Sequence, residues 1–205
     1  REPSPESGLQ HARQIGPAAA LDVAHALDTA QSWFTLNPIS GDFDDGAWWD
    51  GALARLCSGY ERVCFVGESM GATGALRYAR HCTGAVVALV PQIDVRDFGY
   101  ASRADFADAT KARLREAIGR ACDETAAHVV VHVGGDEADV RQLSYLPSTA
   151  ECSRLRVVMH DIDGHAVGAG LKAKGVLHQT ILGDLGLLRS DHQLPISCSS
   201  EMAPS

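Results

Sequence analysis

Nowhere in these 205 residues does an apolar run approach the ~20 residues needed to cross a bilayer, so no membrane-spanning helix is expected. Clusters of Lys and Arg are also missing. With a net charge of −8, the chain is a poor match for a phosphate backbone, and no nucleic-acid partner is expected. The six cysteines, Cys57, Cys64, Cys82, Cys122, Cys152 and Cys198, form neither C-x-x-C pairs nor a zinc-finger spacing. Several lie within apolar runs, which leads to an expectation of buried, reduced thiols and favours a cytoplasmic location. The opening Arg1-Glu2-Pro3-Ser4-Pro5 has no initiator methionine, apolar signal core or cleavage-site pattern, which leads to an expectation of a fragment of a longer protein, any other domains of which are candidate partners. No internal repeat is visible.

What is present is ordinary globular composition, 45% hydrophobic and 21% charged, in a chain long enough for one well-buried, water-soluble domain. Residues 1–18, rich in Pro, Ser, Gly and Gln, are expected to be a flexible lead-in, residues 19–188 a single domain, and residues 189–205 a C-terminal tail. Within the domain, Leu21 to Leu27 and Trp33 to Leu36 compete as the first strand. Asp44 and Asp45 supply capping acids for a helix through Trp48, Trp49, Leu53 and Leu56. The continuous apolar stretch from Ala85 to Val90 has the composition of a parallel strand buried on both faces, and His128 to Val133 and Leu155 to His160 read as further strands. Helical segments separate them, the longest from Arg103 to Cys122, and a last helix starts at about Ala166 and runs to Leu182 or beyond. Such alternation predicts an α/β fold: a mostly parallel sheet with helices on both faces, in three layers.

The chain is organised around Val63-Cys64-Phe65-Val66-Gly67-Glu68-Ser69-Met70-Gly71-Ala72. A strand-like run enters Gly67-Glu68-Ser69-Met70-Gly71 and an alanine-rich helix leaves it, the setting of a G-x-S-x-G nucleophile elbow. A serine in so tight a turn needs neighbours without side chains two residues before and after it, which Gly67 and Gly71 supply. The Met70 backbone N–H, at a helix N-terminus, is then placed to stabilise an oxyanion. Two further segments follow strands at the same sheet edge, where sites form in such folds. Gly134-Gly135-Asp136-Glu137-Ala138-Asp139 offers an acid, with Asp136 the first choice and Asp139, otherwise a helix cap, the alternative. Asp161-Ile162-Asp163-Gly164-His165 offers a base. His128, His132 and His160 lie within strands and read as structural. Asp161 and Asp163 are spaced like the start of a calcium loop, but the later ligands are missing, so no metal is expected.

Chain order Ser69, acid, His165 resembles that of the α/β-hydrolase superfamily, over about residues 20–185. More narrowly, Ser69-Met70-Gly71-Ala72, Val90-Pro91-Gln92 and His165-Ala166-Val167-Gly168-Ala169-Gly170-Leu171-Lys172 are similar to small bacterial-type hydrolase domains sometimes found with surface-polysaccharide enzymes. The resemblance implies that Ser69 attacks the carbonyl of a small-molecule ester or related acyl substrate, that His165 carries the proton, and that the acid orients the imidazole, with no cofactor. It also implies that the segment from Asp94 to Cys122 stands where a cap over the site is commonly inserted, against the plainer reading of a crossover helix. The N-terminal strands and the His-Gly type loop that usually donate the second oxyanion N–H are missing here. Three readings stay open: the donor lies outside this sequence, Asp28 to Ala30 replaces it, or the chain is a non-catalytic accessory module; acyl transfer would use the same triad. Trp33, Trp48 and Trp49 read as core anchors ahead of an acyl pocket.

Overall fold

The computed structural model describes residues 9–12, 21–99, 104–148 and 150–188. Its centre is a parallel four-stranded sheet of β3 (Phe65–Glu68), β4 (Ala85–Leu89), β5 (His128–Val133) and β6 (Leu155–Met159), side by side in that order. Glu68 lies opposite Leu89, Leu89 opposite His132, and Val133 opposite Met159, so all four strands end at one edge. Composition and position agree. β4 is buried at every residue, as its unbroken apolar run requires, whereas the outer strands β3 and β6 expose Val66, Val157 and Met159.

Helices cover both faces, giving the expected three layers. On one side Val86, Ala88, Val129, Val131 and Val133 pack against α2 (Met70–Arg77) and α3 (Ala104–Asp123), through Ala72, Leu76, Leu114 and Ile118. On the other, Ala85, Val87 and Leu89 meet α5 (Val167–Ala173) and α6 (Leu177–Asp184), through Val167, Leu171 and Ile181. The expected single last helix is therefore two, separated at Gly175, whose φ of 73° is open to glycine at little cost. The remaining helices are α1 (Ala47–Cys57), whose Trp49 and Leu53 join Phe34 and Tyr78, and α4 (Glu137–Gln142).

Leu21 to Leu27 contains a strand, β2 (Val23–Ala26), but it pairs antiparallel with β1 (Leu9–Ala12), inside the stretch expected to be a flexible lead-in. The expected tail, 189–205, and Cys198 lie outside the described residues. Trp33 to Leu36 is not a strand. The buried Asp28 carboxylate accepts hydrogen bonds from the Ser32 N–H at 2.7 Å, the Ser32 hydroxyl and the Phe34 N–H at 2.8 Å, capturing donors that a sheet would need. The thiol expectation is corrected in part as well. Cys122, at the end of α3, is bonded to Cys152, ahead of β6, while Cys57, Cys64 and Cys82 are free thiols. Burial pushes the Cys82 thiol up to about 12, which keeps it protonated and inert. No helix among the described residues is long and apolar enough to cross a membrane.

Candidate active site

β3 runs directly into Ser69, and α2 begins at Met70. Ser69 has φ 55° and ψ −121°, outside the regions open to most side chains, and its N–H is anchored on the Leu89 carbonyl at 2.9 Å. Gly67 is required here, because a Cβ would lie 2.2 Å from the Gly71 carbonyl oxygen. Gly71 is not under that constraint: a Cβ there would meet nothing within 4 Å outside its own helix. The steric reading of the motif therefore holds at its first glycine only. Thr73, one turn into α2, ties the elbow to the segment after β4, donating to the Gln92 carbonyl at 2.8 Å and accepting from the Gln92 N–H at 2.9 Å.

His165 arrives from the loop after β6. That loop crosses close to the one after β5, where the Gly135 N–H donates to the Ile162 carbonyl at 2.9 Å and a Cβ on Gly134 would sit 2.6 Å from the same oxygen. The crossing brings the imidazole between two partners. Nδ1–H donates to Asp139 Oδ1 at 2.7 Å, and Nε2 stands 2.8 Å from Ser69 Oγ. With Nδ1 carrying the proton, Nε2 of the neutral ring is the acceptor and the Ser69 hydroxyl the donor.

Asp136, the first choice from sequence, does not meet His165. It is the N-cap of α4, where its carboxylate accepts from the N–H groups of Ala138 at 2.9 Å and Asp139. Asp139, within the helix, is fully buried. Burial pushes its pKa above the ordinary carboxylate value, against the pull of the His165 hydrogen bond, and its Oδ2 makes no hydrogen bond to any described residue. A buried carboxylate with an orphan oxygen is rare enough to call for an explanation, and a role in holding the imidazole is one.

No protein-family model matches the chain, and no curated protein matches it.

Around the three polar groups the walls are aromatic. Phe98 lies against the His165 ring, centroids 5.4 Å apart, and Met70 and Phe106 pack on buried Trp33 and Val95. Phe43 stacks on Phe106 at 5.6 Å with nearly parallel planes, and is half exposed. Trp33 thus borders the elbow as well as anchoring its loop, donating from Nε1 to Gln92 Oε1 at 3.1 Å, while Trp49 is wholly buried and bonded to the Leu36 carbonyl. Gln31, Trp33 and Phe34 all have positive φ, so the loop from Asp28 to Phe34 carries strain beside Met70. Phe98 and Phe106 have no sequence signature as neighbours of the site; the Asp28-rooted turn had a local cue, an Asx residue ahead of Ser32.

His128 lies at the far end of β5, bordering a cavity of about 290 Å³ that shares no residue with Ser69, His165 or Asp139. Among the described residues no three His, Cys, Asp or Glu side chains come together as a metal-ligand set.

Proposed function

We propose that this chain is a serine hydrolase acting on a carboxylic ester or related acyl group. The observation that carries the reading is the unbroken hydrogen-bonded line from Ser69 Oγ through His165 to Asp139, on a serine held at positive φ at a strand-to-helix turn. Chain order and the elbow, which resemble the α/β-hydrolase superfamily, point the same way. Ser69 Oγ attacks the acyl carbonyl as its proton passes to His165 Nε2, and the imidazolium is stabilised by the Asp139 carboxylate on Nδ1. The negative charge that develops on the carbonyl oxygen meets the Met70 N–H, which has no intrahelical partner in the first turn of α2. Asp28 to Ala30, at the start of the strained loop whose Trp33 packs in one cluster with Met70, is the proposed source of the second donor. His165 then protonates the leaving alcohol, and water repeats the sequence to release the acid and regenerate the Ser69 hydroxyl. Asp139 takes the role of the acid in this scheme, and Asp136 that of a structural cap.

The test is labelling by a fluorophosphonate. Wild-type protein is expected to be labelled on Ser69, and Ser69→Ala and His165→Ala to lose the label while remaining folded by circular dichroism. Labelling that persists in Ser69→Ala, or a folded wild type that never reacts, overturns the proposal.

A further inference from the structure

Glu68 fills the variable position ahead of the serine, where the elbow pattern demands no particular residue. Its carboxylate nevertheless has a defined partner 100 residues away: Oε1 accepts the backbone N–H of Gly168 at 2.8 Å. Gly168 lies in the first turn of α5, three residues after His165, where N–H groups have no intrahelical acceptor and a negative charge is favoured. The fit is close on the other side too. Gly168 is buried, and a Cβ there would fall 2.6 Å from Glu68 Oε2 and 2.8 Å from Oε1. A glycine at 168 therefore lets the carboxylate reach the backbone.

We infer that Glu68 is a positioning residue that ties the nucleophile elbow to the start of α5 and so holds His165 in line with Ser69. The inference rests on the hydrolase reading of the site. Each end of the tie adjoins a reacting group: Glu68 is bonded to Ser69 along the chain, and the Val167 N–H donates to the His165 carbonyl at 3.0 Å, so the turn that Glu68 holds is the turn from which the imidazole projects. On the opposite side His165 is hydrogen-bonded to Asp139 through one oxygen, with the Phe98 ring beside it. Without the Glu68 bond the base would keep its acid but lose its fixed distance to Ser69 Oγ.

The experiment compares wild type, Glu68→Ala, Glu68→Gln and Gly168→Ala by the rate of fluorophosphonate labelling and by hydrogen exchange at the Gly168 amide. Since small misplacements of reacting groups cost up to about 100-fold, Glu68→Ala is expected to slow labelling about 10- to 100-fold. Glu68→Gln keeps an oxygen acceptor and is expected to stay within about threefold of wild type, a rescue that a charge effect would not give. Gly168→Ala should resemble Glu68→Ala. Exchange of the residue-168 amide, relative to its intrinsic rate, should accelerate in Glu68→Ala and Gly168→Ala but not in Glu68→Gln. Labelling of Glu68→Ala at the wild-type rate, or Glu68→Gln as slow as Glu68→Ala, overturns the positioning role. Unchanged Gly168 exchange in Glu68→Ala overturns the tie itself. A wild type with a protected Gly168 amide and no labelling at all would instead overturn the hydrolase reading and leave the tie standing as structure.

Discussion

Three imidazole–carboxylate pairs occur among the described residues, His81 with Asp50 being one, and the other two invite comparison at nearly the same separation. His165 Nδ1 meets Asp139 Oδ1 at 2.7 Å, and His132 Nε2 meets Asp184 Oδ2 at 2.8 Å. What distinguishes them is the other ring nitrogen. His165 turns Nε2 to a serine hydroxyl at the open ends of the strands, where a proton can be taken and returned. His132, almost entirely buried on β5, turns Nδ1 to His160 Nε2 at 2.8 Å, and Asp184 is closed off by Arg156. The second network spends every strong partner on holding α6 against the sheet. A histidine beside a carboxylate is thus no site in itself; the group on its far side decides between chemistry and cohesion.

The contrast is broken most severely at Asp139. Asp139→Asn is expected to slow fluorophosphonate labelling by about 10⁴, the scale seen when a triad acid loses its charge. Stability should move the other way. Because burial raises the Asp139 pKa, its favourable contribution is full below the unfolded carboxylate value and lost as pH rises through the folded value, so at neutral pH the ionised group is a cost that Asn removes. Equal or higher melting temperature with lost labelling is the expected pair of results, and a fully labelled Asn variant would exclude Asp139 as the acid.

His132→Leu should do the opposite. Removing the donor from a carboxylate that Arg156 still pairs is expected to cost about 2 kcal/mol of unfolding free energy in urea titration, with labelling of the folded fraction unchanged. If labelling fell in proportion, the two networks would be one. A smaller effect is expected at Asp136, where Asp136→Ala removes a helix cap worth about 1 kcal/mol and should leave labelling intact.

The smallest effect concerns pH. Burial, with His132 beside it, lowers the His160 pKa from the ordinary 6.5. The unfolded chain then binds the proton more readily than the native one, so stability is complete above about 6.5 and declines as pH falls toward the lower folded value. Urea midpoints across that window should fall in wild type and fall less in His160→Gln.

The sequence by itself determined a good deal. The elbow was legible because Gly67, Ser69 and the change from a strand run to a helical run are properties of adjacent residues. So were β4 and β5, since a strand buried on both faces announces itself as an apolar stretch, β6 as a strand though its outer position leaves it half exposed, and α1 through its acidic start at Asp44. Chain order also narrowed the acid to Asp136 or Asp139, three residues apart at one helix start.

Which of those two meets His165 was beyond any local rule, because both suit a helix N-terminus. Only the crossing of the loops after β5 and β6 decided it, by placing His165 over the buried residue of the pair and leaving the other on the cap. The same holds for Cys122 and Cys152, 30 residues apart yet joined between the end of α3 and the approach to β6, and for Trp33 to Leu36, whose strand-like composition lost to the Asp28 carboxylate. It holds for Glu68 and Gly168, unremarkable residues until the fold brings them together. Periodicity and turn chemistry are written along the chain, whereas hydrogen bonds between distant segments depend on distances that arise only once the sheet and its helices have packed.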